Sequence, residues 1–194
     1  MSVYQHPTAL VESEDIGAGT KIWAFVHIMP GVKIGKNCNI GDHSFLETGV
    51  ILQSNVTIKN GVSIWEGVHI EDDVFIGPNV VFTNDLWPRS PRSKWAAKKY
   101  KSKKWVVPTL IQEGANIGAN ATLLAGITVG RYATIGAGSV VTKNVPSHAL
   151  VYGNPATIQG YVCRCGQKLV IKEGLTICLH CKAKYKATHG KPLV

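Results

Sequence analysis

A six-residue repeat of apolar residues constrains this chain more than any other feature of its sequence. An aliphatic or aromatic residue occupies every sixth position from residue 16 to residue 82, and again from residue 111 to residue 141. These anchors are Ile16, Ile22, Ile28, Ile34, Ile40, Leu46, Leu52, Ile58, Ile64, Ile70, Ile76, Phe82, Ile111, Ile117, Leu123, Val129, Ile135 and Val141. A helix repeats every 3.6 residues and a flat strand every two, so neither produces a strict period of six.

A coil of three short strands, with one hexad on each side, does produce this period. Each anchor then points inward and stacks on its equivalent one coil away, at the ~4.8 Å spacing of neighbouring strands. One coil alone cannot bury its anchors, so the stack forms the core cooperatively. The eighteen hexads therefore predict an all-β solenoid of about six coils.

The repeat is interrupted once, by a segment whose excess of basic residues accounts for nearly the whole net positive charge. The interruption begins in FTNDLWPRS, residues 82–90. Between Asp85 and Glu113 there are eight basic residues and no acidic one, in a chain whose formal net charge is +9. The eight are Arg89, Arg92, Lys94, Lys98, Lys99, Lys101, Lys103 and Lys104. Two interpretations stay open: a solvated loop, or a funnel for phosphate-bearing ligands.

Four of the five cysteines lie close together near the C-terminus. They form a C-x-C pair, Cys163 and Cys165, and a C-x-x-C pair, Cys178 and Cys181. In a chain without export signals, two such pairs separated by a hairpin-length segment are typical of a structural zinc site. We therefore predict a Cys₄ zinc site, with His180 as an alternative ligand. The competing interpretation is four reduced thiols in a loose tail.

The hexads with the pattern [LIV]-G-x-x-x-x, such as IGKNCN, IGDHSF and IGANAT, resemble those of the hexapeptide-repeat acyltransferases. The resemblance covers residues 10 to 160 and implies a left-handed parallel β-helix, an exception to the right-handed crossover rule. It also implies a homotrimer with acetyl-CoA bound between neighbouring subunits. We expect the acyltransferase domain over residues 1–160, with a loop excursion at 84–108, and a zinc-ribbon-like tail over residues 161–194.

Polar residues gather where the chain leaves the prism. Glu66 lies two residues after one anchor, and Asn84 lies two residues after Phe82. Because eighteen residues make one coil, we expect the two at equivalent places on adjacent coils, ~4.8 Å apart. Asp85 follows directly. Carboxylates accept hydrogen bonds, and an amide both accepts and donates them, so the cluster is suited to hold a sugar hydroxyl and an amine.

The segments SIWEGV and FTNDLWPRS resemble one branch of this family, which acetylates the 3-amino group of a nucleotide-linked 3-amino-3,6-dideoxyhexose such as a dTDP sugar. The resemblance implies that Asn84, Glu66 and Asp85 are the catalytic residues. The implied substrate-binding residues are Trp65, Arg89 and Arg92. A sister branch acts on UDP-2-acetamido-3-amino-2,3-dideoxyglucuronate and generally lacks the Asp. We keep that sugar as the alternative substrate. It ranks second because the carboxylates of Glu66 and Asp85 would repel the carboxylate of the glucuronate, unless Arg89 or Arg92 lay between them.

The mechanism that the resemblance implies is direct attack of the neutral sugar amine on the thioester of acetyl-CoA. O-acetylating relatives in this fold use a histidine base, whereas an unprotonated amine is already nucleophilic. The departing CoA sulfur can accept the proton, and Asn84 would orient the amine. The histidines of the early coils, His27, His43 and His69, are assigned structural or solvent-facing roles.

Small residues in the resumed repeat indicate where an extended pantetheine can lie close to the backbone. They occur in GANATLLAGITVG and GAGSVV, while the turn GNPA resembles the family's cap over the cofactor. The predicted acetyl-CoA contacts are Ala125, Gly126, Ala137, Gly138, Lys143 and Pro155. Lys143 would reach a phosphate. The alternative is that the small residues serve packing in a tight solenoid.

Other functions are disfavoured by the same patterns. The carbonic anhydrase branch needs histidines gathered on adjacent coils, but the three early histidines do not share one hexad phase. Aromatic residues alternate with basic residues in the loop, as they do in proteins that stack the bases of single-stranded nucleic acids. The hexads and the FTND segment explain the sequence without nucleic-acid binding. A purely structural solenoid does not explain the polar residues at the break. The sequence shows no signal-peptide pattern and no long apolar run, which predicts a cytoplasmic protein without a membrane span.

Overall fold

The computed structural model of the protein describes residues 2–171, 174–188 and 191–193. The predicted tail, 161–194, therefore includes five residues that lie outside this description. Within it the chain is built from short strands, and its helical segments are two single-turn 3₁₀ helices, Lys99–Lys101 and Lys103–Trp105. The described part of the chain has no helix with the length and hydropathy of a membrane span.

Most strands contain two residues. The thirteen before the loop are β1 (Tyr4–Gln5), β2 (Leu10–Val11), β3 (Lys21–Ile22), β4 (His27–Ile28), β5 (Lys33–Ile34), β6 (Asn39–Ile40), β7 (Phe45–Leu46), β8 (Ile51–Leu52), β9 (Thr57–Ile58), β10 (Ser63–Ile64), β11 (Val68–Ile70), β12 (Phe75–Ile76) and β13 (Val81–Phe82). Those after it are β14 (Thr109–Ile111), β15 (Asn116–Ile117), β16 (Thr122–Leu123), β17 (Thr128–Val129), β18 (Thr134–Ile135), β19 (Val140–Val141), β20 (Ala149–Gly153), β21 (Ala156–Val162), β22 (Lys168–Leu169), β23 (Gly174–Ile177), β24 (Lys184–Thr188) and β25 (Lys191–Leu193).

Three parallel sheets form the sides of a prism. Sheet A contains β1, β3, β6, β9, β12, β15, β18 and β20, sheet B contains β2, β4, β7, β10, β13, β16 and β19, and sheet C contains β5, β8, β11, β14 and β17. Anchors pair one coil apart, as Ile22 does with Ile40 and Ile40 with Ile58. The predicted all-β solenoid of stacked parallel coils is confirmed. Its left-handed winding stays a prediction from the resemblance.

The anchors fill the centre of the prism. Ile22, Ile40 and Ile58 are fully buried, as are their equivalents on the other two sides. Burying a side chain of this size contributes about 1.5–3 kcal/mol, so stacking the coils stabilises each of them. The sheets also extend beyond the regular repeat, because β1 and β2 pair in parallel with β3 and β4.

The corners of the coils require special backbone conformations and close approach. Asn55 adopts a left-handed φ of 61° at the corner between sheets C and A, a region in which asparagine is enriched among non-glycine residues. Gly35 lies at the same corner one coil earlier. A Cβ there would meet the carbonyl carbon of Gln53 at 2.6 Å. The glycine after the anchor therefore lets adjacent coils come into contact.

The C-terminal part begins on the same sheet as the last coil. β20 turns back through β21, and β22 pairs with β21, so all three extend sheet A. β21 runs through the predicted domain boundary at residue 160. The strands β23, β24 and β25 form a separate antiparallel sheet.

Candidate active site

The loop excursion leaves the prism at one corner, where the chain passes from sheet B to sheet C. It connects β13 to β14, the equivalents of β10 and β11 in the previous coil. Glu66 therefore lies at this corner in one coil and Asn84 in the next, with the turn at Ala125 and Gly126 in the coil after that. The fold brings these four predicted site residues onto one edge of the prism.

Asn84 contacts the coil that carries Glu66. The side-chain Nδ2 of Asn84 donates to the backbone oxygen of Glu66 at 3.3 Å. The backbone oxygen of Asn84 accepts a hydrogen bond of 3.0 Å from the amide of Val107, where the loop returns. Asn84 is thus held on both sides, while its Oδ1 has no hydrogen-bond partner among the residues described. That oxygen is free to accept a hydrogen bond from a ligand.

Glu66 is held by a lysine from the loop. Its Oε2 lies 2.5 Å from Nζ of Lys103, and its backbone amide donates to Oε2 of Glu47 at 2.8 Å. The hydrogen bond to Glu66 raises the pKa of Lys103 above its ordinary value, so this side chain stays protonated at neutral pH. Because Lys103 is largely exposed and the Glu66 side chain is 26% exposed, solvent screens the pair.

Asp85 turns into the loop instead of toward Glu66. Its carboxylate accepts hydrogen bonds from Lys99 Nζ at 2.7 and 2.8 Å, from the hydroxyl of Tyr100 at 2.8 Å and from the backbone amide of Trp87 at 2.9 Å. Burial alone would raise the pKa of Asp85. The hydrogen bonds from Lys99, Trp87 and Tyr100 outweigh it, so the pKa lies below its ordinary value of 3.8. The carboxylate therefore organises the loop.

The returning end of the loop packs over two glycines of the corner. A Cβ on Gly67 would lie 2.7 Å from Cγ1 of Val106, and a Cβ on Gly126 would lie 2.8 Å from Cγ1 of Val107. Both glycines also have positive φ, 91° and 83°. The small size of Gly126 thus serves the approach of the loop, and its amide donates to Oγ1 of Thr109 at 3.2 Å.

The predicted substrate-binding residues occupy different surroundings. Trp65 is half-buried, and its ring centroid lies 5.6 Å from that of Phe45 on sheet B. Arg89 and Arg92 are exposed on the loop. Nη1 of Arg89 donates to the backbone oxygen of Pro88 at 2.8 Å. The structure does not bring either arginine into hydrogen-bond contact with Glu66.

The remaining predicted acetyl-CoA residues lie at two other places. Ala137 and Gly138 form an exposed turn between sheets A and B, and nothing lies within 4 Å of a Cβ built on Gly138. Lys143 and Pro155 line one cleft of about 330 Å³ at the C-terminal end of the prism, together with Val141, Val145 and Ile158. The six residues therefore do not form one continuous wall within a single chain.

The early histidines lie apart from one another: His27 is on sheet B, His69 is on sheet C, and His43 is in the turn between sheets A and B. Nε2 of His27 is 2.8 Å from Oε2 of Glu12, the ring of His43 stacks on Phe25, and His69 faces Gln53 across sheet C. None of the three contacts Asn84 or Glu66. His148 is buried, and burial lowers its pKa. Among the residues described in one chain, no histidine forms a hydrogen bond with Asn84 or Glu66.

The four C-terminal cysteines converge. Their sulfur atoms all lie within 4.8 Å of one another, and His180 is not part of the group. The Sγ atoms of Cys163 and Cys181 are 3.3 Å apart, and those of Cys165 and Cys178 are 3.7 Å apart. In a tetrahedral site with Zn–S bonds of about 2.3 Å the sulfurs stand about 3.8 Å apart, so this donor set fits zinc. Backbone hydrogen bonds from Cys181 and His180 lower the pKa of Cys178 to about 6, whereas burial raises the pKa of Cys163 to about 12, so the fit to zinc rests on the convergence of the four sulfurs.

The coil geometry agrees with one protein family. The model of the bacterial transferase hexapeptide family, which describes six repeats, matches residues 15–48, 49–84 and 108–143. The chain belongs to this family. The gap between the second and third matches, 85–107, coincides with the loop excursion.

Two relatives and one solved structure extend the comparison. The chain is 51% identical over 187 residues, 96% of its own length and 92% of the relative's, to the dTDP-3-amino-3,6-dideoxy-alpha-D-galactopyranose 3-N-acetyltransferase of Aneurinibacillus thermoaerophilus. It is 32% identical over 83 residues to the galactoside O-acetyltransferase of Lactococcus lactis, covering 43% of this chain and 38% of that one. The acetyltransferase domain of PglB from Neisseria gonorrhoeae, solved with acetyl coenzyme A, has the same fold. The TM-score is 0.56 at 22% identity, over 80% of this chain and 57% of that one.

Several side chains that build this corner are not predicted from the sequence. Lys99 and Lys103 belong to the basic segment, and Tyr100 lies within it, but the sequence indicates no partner for any of them. Glu47 accepts a hydrogen bond from the amide of Glu66, nineteen residues further along the chain. This separation is one coil plus one residue, so the hexad count could have predicted that the two residues are neighbours. The loop residues gave no such signal, because the loop has no repeat from which contacts can be counted.

Proposed function

We propose that this protein transfers the acetyl group of acetyl-CoA to the 3-amino group of a nucleotide-linked amino sugar, most specifically a dTDP-3-amino-3,6-dideoxyhexose. The observation that carries the proposal is the 51% identity, over nearly the whole chain, to a 3-N-acetyltransferase of that substrate class. The alternative substrate is UDP-2-acetamido-3-amino-2,3-dideoxyglucuronate. Acetyl-CoA is a cytoplasmic metabolite, so we place the activity in the cytoplasm.

Asn84 is the residue that orients the amine. Its Oδ1 accepts an N–H of the sugar amine, because this atom has no protein partner in the described part of the chain, while its Nδ2 stays on the backbone of Glu66. The nitrogen lone pair is thereby directed away from Asn84 and toward the thioester. Holding the amine in one orientation lowers the entropic part of the barrier.

Glu66 and Lys103 act together beside the amine. Lys103 occupies Oε2 of Glu66, and the other oxygen of this carboxylate accepts a hydrogen bond from the amine or a neighbouring hydroxyl. Asp85 fixes the loop through Lys99 and Tyr100. We therefore assign Asp85 a positioning role, distinct from the substrate contact that its neighbour Asn84 makes.

The chemical step needs no side-chain base. The neutral amine attacks the thioester carbonyl, the C–N bond forms, and the C–S bond breaks as the tetrahedral intermediate collapses. The amine proton leaves with the CoA sulfur as a thiol. Within one chain, the contacts of the early histidines with residues other than Asn84 and Glu66 support this assignment.

The acetyl-CoA site is completed by a second subunit in our proposal. The turn at Ala125, the turn at Gly138 and the cleft at Lys143 do not form one continuous wall in a single chain. A homotrimer of prisms, with one site between each pair of neighbours, places residues from two copies around one cofactor. Lys143 is assigned to a CoA phosphate.

The Cys₄ cluster is assigned to a structural zinc ion. Four thiolates leave no open coordination position, so the ion supplies folding stability and no chemistry. We propose the domain division at residue 160 on the same basis, with the acyltransferase over 1–160 and the metal-dependent tail over 161–194.

The proposal is tested by following thiol release from acetyl-CoA with a panel of dTDP- and UDP-linked amino sugars. We expect turnover with a dTDP-3-amino-3,6-dideoxyhexose and at least tenfold lower kcat/KM with the UDP-linked glucuronate. A reversed preference would select the alternative substrate. No turnover with any 3-amino sugar would refute the function. The rate should rise with pH as the sugar amine deprotonates and then level off, since no enzyme base titrates.

A further inference from the structure

The loop fixes the backbone of one residue from both sides. The amide of Trp87 donates to Oδ1 of Asp85 at 2.9 Å, and the backbone oxygen of Trp87 accepts from Nζ of Lys99 at 2.8 Å. Lys99 and Asp85 are themselves paired at 2.7 Å, with only 10% of the Asp85 side chain exposed. The hydroxyl of Tyr100 bridges Asp85 to the amide of Arg89. One network therefore sets the path of the segment 85–89.

The side chain on this fixed backbone is left in solvent. Trp87 is 79% exposed, and Leu86 beside it is 48% exposed. Ordering this backbone buries little of the indole, so the network adds little to the hydrophobic core. Exposure alone is ordinary for a surface residue, but Trp87 is exposed next to Leu86 on a backbone that the network holds in place, so its ring is available for contact with another molecule.

The loop that carries this indole is rich in cations. Arg89, Arg92, Lys94, Lys98, Lys101 and Lys104 form no ion pair with a carboxylate in the part of the chain that the structure describes. Arg89 follows Trp87 by two residues, and an unpaired cation on the same short segment as an exposed aromatic ring matches a ligand that has phosphates next to a flat ring. A nucleoside diphosphate has both parts.

We propose that the indole of Trp87 stacks on the nucleobase of the nucleotide-linked sugar, with Arg89 facing the diphosphate. This inference rests on the proposed function, which supplies the nucleotide sugar as substrate. Trp87 follows Asn84 by three residues, so the two Cα atoms lie at most about 11 Å apart. The sugar amine at Asn84 and the base at Trp87 are then separated by the hexose, the diphosphate and the ribose.

Stacking provides affinity without strict choice of base, because every base presents a π face. The indole of Trp87 therefore binds dTDP and UDP alike. Asn84 and Glu66 discriminate between nucleotide sugars through their contacts with the sugar. The network of Asp85, Lys99 and Tyr100 acts through Trp87, which explains why so many hydrogen bonds converge on a surface loop.

The test uses the 194-residue chain and the variants Trp87→Ala, Trp87→Phe and, as a matched control, Trp95→Ala. Trp95 lies on the same loop and is 85% exposed, but its contacts are Ser93 and Lys94 and it is outside the network. Calorimetry measures the binding of dTDP and of UDP, and steady-state kinetics give KM for the nucleotide sugar and for acetyl-CoA.

We expect Trp87→Ala to weaken dTDP binding by about 10- to 100-fold, the range measured for loss of one base stack. Trp87→Phe should retain most of the affinity, Trp95→Ala should bind like the unmodified protein, and KM for acetyl-CoA should not change. Unchanged dTDP affinity in Trp87→Ala, or a changed oligomeric mass showing the indole to be a subunit contact, would overturn the inference. If the unmodified protein binds dTDP through Trp87 but acetylates no amino sugar, the proposed function is refuted, whereas the inference that Trp87 stacks on a nucleobase is confirmed.

Discussion

The side-chain amide of Asn84 donates to the backbone carbonyl of Glu66 at 3.3 Å. This hydrogen bond joins the place where the chain leaves the prism to the equivalent place one coil earlier. It leaves Oδ1 of Asn84 as the acceptor that faces outward. The geometry makes Asn84 the residue whose replacement should separate catalysis from folding.

Replacing Asn84 with Ala should lower kcat/KM for the nucleotide sugar by about 100-fold, the loss expected when a reacting group is misplaced by about 1 Å. The melting temperature should change little, because the side chain is half-exposed and makes one side-chain hydrogen bond. The matched control is Asn116→Ala, in an exposed position on sheet A. Equal rates for Asn84→Ala and the control would show that the site lies elsewhere.

Replacing Asp85 with Ala should open the loop without unfolding the prism. The carboxylate binds Lys99, Tyr100 and the amide of Trp87, so its loss releases the segment that follows. The loop is rich in lysine and arginine, and limited trypsin digestion therefore reports its opening. We expect faster cleavage within residues 89–104 and an unchanged melting temperature. The control is Asp73→Asn at an exposed corner; identical digestion of both variants would contradict the positioning role.

The loop network should be insensitive to pH across the neutral range. The pKa of Asp85 is lower in the closed loop than its ordinary value of 3.8, so its contribution is complete above that value and is lost as the pH falls through the lowered pKa. The pKa of Lys99 is raised above 10.5 by Asp85, so its contribution is lost only as the pH rises through the raised pKa. Amide hydrogen exchange of residues 85–89, corrected for its intrinsic pH dependence, should show constant protection between pH 5 and pH 9, about one unit inside both limits. A loss of protection between these values would show that another group controls the loop.

The fold could be predicted where the sequence repeats. Each anchor, such as Ile40, defines an inward position directly, and eighteen of them fix the number of coils. The first two strands were not predicted, because the spacing from Val11 to Ile16 is five and interrupts the count. They still pair with the next coil, since a parallel ladder requires an extended backbone and not a particular residue.

The site could be predicted only where it lies on the prism. The hexad count aligned Glu66 with Asn84 because both follow an anchor by two positions. The side-chain partners of Asp85 are Lys99 and Tyr100, fourteen and fifteen residues further along an irregular loop. Their contacts depend on the path of the loop, which no periodicity describes. For the same reason the sequence suggested that Asp85 contacts the sugar, whereas the structure shows its carboxylate occupied within the loop.

Replacing Lys103 with Ala should weaken binding of the nucleotide sugar more than that of acetyl-CoA. Lys103 is the only described cation that contacts Glu66, and without it this carboxylate turns toward solvent. We expect KM for the nucleotide sugar to rise about 5-fold, a modest effect because the pair is exposed and screened by salt. Lys104→Ala removes the same charge from the same loop without breaking the pair, and should change KM by less than about 2-fold. Equal effects of the two variants would mean that net charge, and not the contact with Glu66, matters.

Removing zinc should unfold the tail and spare the prism. The four sulfur atoms lie within 4.8 Å of one another, and a structural zinc ion supplies much of the folding free energy of so small a unit. A chelator that works under mild denaturation should release one zinc ion per chain. Hydrogen exchange should then lose protection in β23 and β24 while β3 to β18 keep theirs.

The boundary of this unfolding is set by the contact between the tail and the last coil. The ring of Tyr185 lies 5.1 Å from that of His148, and its hydroxyl contacts Cys163. We expect the unfolding to end near His148, so that the structure of the corner at Glu66 and the rate of acetyl transfer are unchanged. Cys178→Ser should reproduce the effect of chelation, whereas Cys38→Ser, which alters the remaining cysteine inside the prism, should retain the metal. Loss of activity together with the metal would show that the tail helps to build the active site.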